Sequence, residues 1–254
     1  MKYLLSIILL LATSKIIFGQ FPKPLSPARL YNNFSTLKIL SDSEEAEIEA
    51  ILVKFEAETS NEIAVIVVDD LNDLEPWEYA TEIGEKWGVG KAEEDNGIIL
   101  LIKPTEKTSR REVFIAVGRG LESVVPDLTA NEIVENELLP NFKNQAYFEG
   151  VKQAVKVLSE LSRGEYSHNK YSKKNKKGKF ASGIVSVLFI LILVILLIKR
   201  GGGGTTIGAA GFIGGFGRGF GGGFGGGFGG GSSGGGFGGF GGGSFGGGGS
   251  GGSW

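Results

Sequence analysis

"EIAVIVV", Glu62 to Val68, sets one glutamate ahead of an unbroken apolar run rich in β-branched residues. Branched side chains suit a pleated strand, and a run without polar alternation is a strand covered on both faces. Such a strand needs helices above and below it, and the flanking sequence supplies them. Upstream, "SDSEEAEIEAILVKFEAE" puts Ser41 and Glu44 at capping-box spacing, and Ile48, Ile51, Leu52 and Phe55 fall on one helical face. Downstream, Asp73 and Pro76 open a second helix with Ala80, Ile83 and Trp87 on one face. "GIILLI" (Gly97 to Ile102) and "EVFIAV" (Glu112 to Val117) read as two more buried strands. The polar connection "KPTEKTSRR" is short enough to make them an antiparallel hairpin. Thr129 and Glu132 repeat the capping-box spacing, with Ile133, Val134 and Leu138 behind them. A last helix carries Val151, Ala154, Val155, Leu158 and Leu161.

This order predicts an α/β layer fold with a small mixed sheet. The first two strands, joined through a helix, are expected to be parallel with a right-handed crossover. The hairpin makes the third antiparallel. That arrangement decides which loops meet. The loops that lead into the first strand (Thr59 to Glu62) and the second (Glu93 to Asn96) share a sheet edge with the exit of the third (Gly118 to Asp127). The helix end "WGVG" reaches the same edge.

Glu62, Asp95, Asn96, Glu122 and Asp127 are therefore expected to converge as oxygen donors, with Glu94 beside them. Asp69 and Asp70 fall at the opposite edge. Grouped carboxylates repel unless a cation or protons relieve them. Ca²⁺, which takes six to eight oxygens in flexible geometry, suits this set, with Mg²⁺ second. Gly118 and Gly120 would let the backbone approach whatever sits at the edge. Arg119 would pair with a carboxylate or hold an anionic ligand. Plainer readings stand beside these. Asp127 can favour a helix N-terminus, Asp95-Asn96-Gly97 can be an ordinary turn, and Arg119 can be solvated.

Composition narrows the chemistry. Among 254 residues there is no cysteine, and His168 is the sole histidine. Disulfides, thiolate catalysis, histidine triads and multi-histidine zinc sites are excluded. A formal net charge of -2 gives no field that would draw nucleic acid.

The ends carry separate signals. "MKYLLSIILLLATSKIIFGQ" (1–20) has Lys2 before an apolar run and reads as a secretory signal peptide. After the domain (30–166), a polybasic linker (167–180) precedes "ASGIVSVLFILILVILLI" (181–198). That uncharged run is about long enough to cross a hydrocarbon core of ~30 Å. With an exported N-terminus the domain would be extracytoplasmic, periplasmic in a Gram-negative cell, on a single-pass anchor. The lysines of "HNKYSKKNKKGK" lie on the presumed outer side, against the positive-inside rule. The tail (199–254) is Gly with periodic Phe and Ser. It is expected to be disordered, with its phenylalanines as weak stickers for self-association.

Four segments carry a resemblance. "ETSNEIAVIVV", "WGVGKAEEDNGIILLI", "VGRGLESVVPDLTA" and "LLPNFKNQAYFEGV" occur in the order found in TPM domains, and the span from about Leu30 to Leu161 resembles that family. The layout of signal peptide, domain, membrane helix and Gly-rich tail ending in "SGGSW" is similar to bacterial members. Arg119 stands where an aromatic often lies between the two glycines, and Ser123 where a glycine follows the Leu-Glu pair. The resemblance implies a Rossmann-like α/β/α sandwich with a divalent-cation site, usually Ca²⁺. It also implies either acid phosphatase activity or an accessory role in membrane-protein assembly or repair. Three functions follow: a tethered cation-dependent binding module acting with membrane proteins, a metal-assisted phosphatase, and a clustering protein acting through its Phe-Gly tail.

Overall fold

Five strands form one sheet in the spatial order β1-β2-β3-β4-β5. They are β1 (Tyr31–Asn33), β2 (Glu62–Val67), β3 (Gly97–Lys103), β4 (Glu112–Gly118) and β5 (Phe245–Ser253). The computed structural model describes residues 21–105, 110–164 and 237–254, all within one compact unit. The expected signal peptide, linker and membrane span lie outside the described residues. Among the described residues no helix is long and apolar enough to cross a membrane.

β2 and β3 are parallel, with Glu62 beside Gly97 and Val67 beside Ile102. β3 and β4 form the expected antiparallel hairpin, with Ile98 opposite Val117. β1 is a short parallel addition to β2 that no sequence pattern announced.

Helices cover both faces. On one lie α1 (Asp42–Thr59), α3 (Asp127–Ile133), a π-helical turn (Val134–Leu138), α4 (Leu139–Lys143) and α5 (Tyr147–Ser162). Ile48, Leu52, Phe55, Leu138, Val155 and Leu158 meet Ile63, Val65, Leu100 and Ile115 there. α2 (Pro76–Trp87) lies on the other face, where Tyr79, Ala80, Ile83 and Trp87 meet Ala64, Ile66, Ile99 and Leu101. Residues of alternating parity along each strand therefore enter opposite cores, which explains the unbroken apolar runs.

Local signals set the helix ends. Ser41 and Glu44 form the expected capping box, and Ser60 closes α1 in the left-handed region at φ 63°. α2 begins at Pro76, where the Glu78 carboxylate accepts from the Glu75 N–H. Asp73 lies outside it in a left-handed turn at φ 62°. α3 starts at Asp127, two residues ahead of the expected Thr129. Pro126 is pre-set for a helix start, and the Asp127 carboxylate suits the positive end.

The C-terminal segment requires a correction. Residues 237–254 are not disordered, because Phe245–Ser253 pairs antiparallel with β4 from Glu112 to Gly118. The packing also begins before Leu30. Phe21 lies 4.8 Å from the Tyr79 ring, and the Trp87 indole N–H donates to the Pro22 carbonyl.

Leu100 sits fully buried in the central strand β3. Leu100→Ala should cost about 2–5 kcal/mol of unfolding free energy, read from the urea midpoint at unchanged slope.

Candidate binding edge

The loops expected to meet do meet. The Glu62 N–H donates to the Asn96 carbonyl at 3.1 Å, and the Gly120 N–H donates to the Asp95 carbonyl at 3.1 Å. The α2 end is drawn in as well. The Gly90 N–H donates to the Glu62 carboxylate at 2.7 Å, and the Lys91 N–H to the Asn96 side-chain oxygen at 2.8 Å.

Their roles divide sharply. Glu62 is 2 % exposed, and burial pushes its carboxyl up to about 7 against the opposing Gly90 hydrogen bond. Asn96 is 3 % exposed, and its amide donates to the Ser60 carbonyl and the Glu94 carboxylate. These two residues bind the loops to one another. Gly118 and Gly120 do the same by absence of a side chain. A Cβ on Gly118 would lie 2.3 Å from the Asp95 carbonyl oxygen, and one on Gly120 1.8 Å from that of Glu94. What the glycines approach is the neighbouring loop.

The other three acids line the outer rim, and the C-terminal tail occupies them. Asp95, left-handed at φ 47°, accepts from the Ser244 N–H at 2.8 Å and the Ser244 hydroxyl at 2.9 Å. Those two hydrogen bonds, with the Arg119 charge adding to them, hold its carboxyl below the usual range. Asp127 accepts from the Gly249 N–H at 2.7 Å. Glu122 lies so close under the tail that a Cβ on Gly246 would stand 2.7 Å from its Oε1. Arg119 lies beside the same glycine, its Cγ 3.4 Å from that position. The Gly242 N–H donates to the Gly88 carbonyl at 2.6 Å and the Gly243 N–H to that of Gly90 at 3.0 Å. Thus the "WGVG" helix end also belongs to the contact.

A divalent cation fits this arrangement poorly. Glu122 and Asp127 both approach Gly248, but Asp95 is turned to Ser244, and Glu62 and Asn96 are committed to loop contacts. Among the described residues no three or more acidic or histidine side chains are grouped to hold a metal ion. Nothing in the tail's composition, read alone, pointed to Ser244 and Gly249 as partners of the acids.

A TPM domain family model matches residues 35–161, half of the chain. The chain belongs to the TPM domain family. A search of curated proteins returned no match. Three solved structures are similar to this chain. The N-terminal domain of a P. gingivalis protein is 24% identical, with a TM-score of 0.45, over 55% of this chain and 87% of that one. The N-terminal domain of a Corynebacterium glutamicum protein is 13% identical, with a TM-score of 0.41, over 56% and 86%. The BA42 protein of Bizionia argentinensis is 18% identical, with a TM-score of 0.43, over 54% and 91%.

Glu62 makes stability depend on pH. Its folded carboxyl titrates near 7 against an ordinary 4.5, so the folded state holds the proton longer. Its contribution is complete below pH 4.5, falls as pH rises through that window, and is lost above about 7. Glu62→Gln keeps an acceptor for Gly90 but cannot ionise. The variant should gain on the parent by about 3 kcal/mol between pH 4.5 and pH 8, measured by urea unfolding at both.

Proposed function

We propose that the chain is a membrane-tethered, extracytoplasmic binding module acting as an accessory factor in membrane-protein assembly or repair. The observation that carries this reading is the meeting of Asp95, Glu122 and Asp127 with an extended peptide along the β4 edge. Carboxylates used this way recognise backbone N–H groups and hydroxyls, which is the chemistry of a binding surface. The apolar run 181–198 supplies the tether and the N-terminal run the export signal.

Cation binding enters as a second state of the same rim. When the tail leaves, Glu122 and Asp127, which both face Gly248, lose its cover, and their repulsion favours a divalent cation, Ca²⁺ before Mg²⁺. The tail and the cation then exclude one another.

The phosphatase reading has less support. A metal-assisted phosphatase needs its carboxylates around a substrate cleft, and here they lie beneath Gly246 to Gly249. A cleft of about 240 Å³ lies at the other end of β4, beside Trp77, Arg110 and Glu112. Clustering through the tail would not draw on Phe245, which is 2 % exposed within its own domain, while the phenylalanines from Phe212 to Phe228 lie outside the described residues.

Calorimetry with the full chain and with a chain ending at Gly236, both in detergent, tests the cation state. The shortened chain should bind Ca²⁺ about tenfold more tightly, a coupling near 1.4 kcal/mol, and Asp127→Asn should abolish the difference. Equal affinities would remove the cation from the function. The Ca²⁺-loaded shortened chain should release no phosphate from a chromogenic ester above the blank.

A further inference from the structure

The tail lies in a trough with a floor and two side walls of different chemistry. The floor is the outer edge of β4, which pairs from Glu112 opposite Ser253 to Gly118 opposite Phe245, with an irregularity between Ala116 and Gly118. α2 makes one side, and α3, the π-helical turn and α4 make the other.

Odd positions of the tail face α2. Phe245 enters the core formed by Tyr79, Ala80, Ile83 and Trp87. Its socket exists because residue 84 is glycine. A Cβ there would stand 2.6 Å from Phe245 Cε2. Glycine inside a helix costs about 1 kcal/mol relative to alanine, and Gly84 is interior to α2. Gly249 and Gly251 follow on the same side. A Cβ on Gly249 would meet the Ile115 carbonyl oxygen at 2.0 Å, and one on Gly251 a Phe114 ring carbon at 2.6 Å. Gly249 also has φ +137°, which side chains rarely adopt.

Even positions face the other wall. The Ser250 hydroxyl donates to the Asn131 side-chain oxygen at 3.1 Å. A Cβ on Gly252 would press on Leu139 Cδ1 at 2.9 Å and Val134 Cγ1 at 3.1 Å. Trp254 ends the strand in an aromatic cage, 4.9 Å from the Phe142 ring and 6.3 Å from the Tyr147 ring. The Arg111 guanidinium lies 5.8 Å from its ring centroid.

We propose that this trough is a peptide-recognition site that reads a glycine-rich strand of the pattern Ser-Phe-x-Gly-x-Gly-x-Gly-Gly-x-Trp, and that its ligand is the chain's own C-terminus. Each fixed position has its own physical reader. Serine is read by Asp95, phenylalanine by the Gly84 socket, three glycines by clearance, Gly247 by its left-handed backbone at φ +80°, and tryptophan by the Phe142–Tyr147 cage. The inference builds on the strand-binding reading but is independent of Ca²⁺, so a failed cation titration leaves it standing.

The test uses the full chain in detergent with Asn131→Cys and Ser250→Cys, whose parent side chains already touch. The native chain has no cysteine, so these thiols are the sole pair. A disulfide should close within single chains, seen as thiol loss without dimer on non-reducing gels. Gly84→Ala and Trp254→Ala should each slow closure about tenfold, equivalent to about 1.4 kcal/mol of seating. Gly84→Ala and Phe245→Ala should be non-additive, because both remove one contact. In a chain ending at Gly236, Gly84→Ala should raise the melting temperature through helix propensity, which separates lost seating from lost folding. No disulfide, disulfides only between chains, or closure indifferent to both Gly84→Ala and Trp254→Ala would each overturn the proposal.

Discussion

The open edge of β4 is the constraint around which this structure is arranged. Every strand has backbone N–H and C=O groups on both sides, and those left under protein rather than water need partners. β3 satisfies one side of β4. The other side opens between α2 and the α3–α4 run, and the C-terminal strand pairs with it there. A strand with ordinary side chains cannot enter, because clearances at Gly249, Gly251 and Gly252 fall below van der Waals contact for a Cβ. The partner must be a strand nearly without side chains, and the chain supplies one at its own C-terminus. The entropic cost of ordering glycine is offset by ladder bonds along β4, the Ser244 and Gly249 bonds to carboxylates, the burial of Phe245 and the partial burial of Trp254.

Much of the domain was legible because its signals are local. The run Glu62 to Val67 could only be a strand covered twice, and the Ser41–Glu44 pair marked where α1 begins. Loop convergence followed from connectivity alone, since parallel strands must bring their starts to one edge. β1 escaped notice because three residues carry too little pattern to separate from a loop. β5 escaped for a different reason. Judged by its own apolar mass the tail cannot order itself, and that judgement is sound for a free segment. Its order is a property of the trough, so it resides in Gly84, Phe114, Val134 and Leu139 as much as in the tail.

The acidic residues show the same division between residue type and role. Glu62, Asp95, Asn96, Glu122 and Asp127 were grouped by topology and do reach one edge. Burial then separates them. Glu62 and Asn96 are nearly inaccessible and fasten the α2 end to the strand starts. Asp95 accepts from Ser244 and Asp127 from Gly249, while Glu122 faces the glycines of the strand. Sequence shows that oxygen donors gather. It does not show whether they turn toward a cation, toward one another, or toward peptide N–H groups, because those choices depend on a few ångströms of backbone placement. The glycines of "VGRG" make the point. Their type signalled close approach correctly, and the structure shows that the approach is to the Glu94–Asp95 backbone.

The seated tail also constrains the tether. Domain and tail are paired within one compact unit, so Gly164 and Phe237 lie on the same side of any bilayer. A single crossing by the run 181–198 would place them on opposite sides and leave the trough without its own strand. Charge points the same way. The lysines between residues 170 and 179 flank that run on the domain side, where the positive-inside rule disfavours them in an exported domain with one crossing. The seated strand and a tether that crosses once therefore belong to two different arrangements of the chain. Under the proposed tether, the chain's own strand fills the trough where the C-terminus shares the domain's compartment, and a single crossing withholds it.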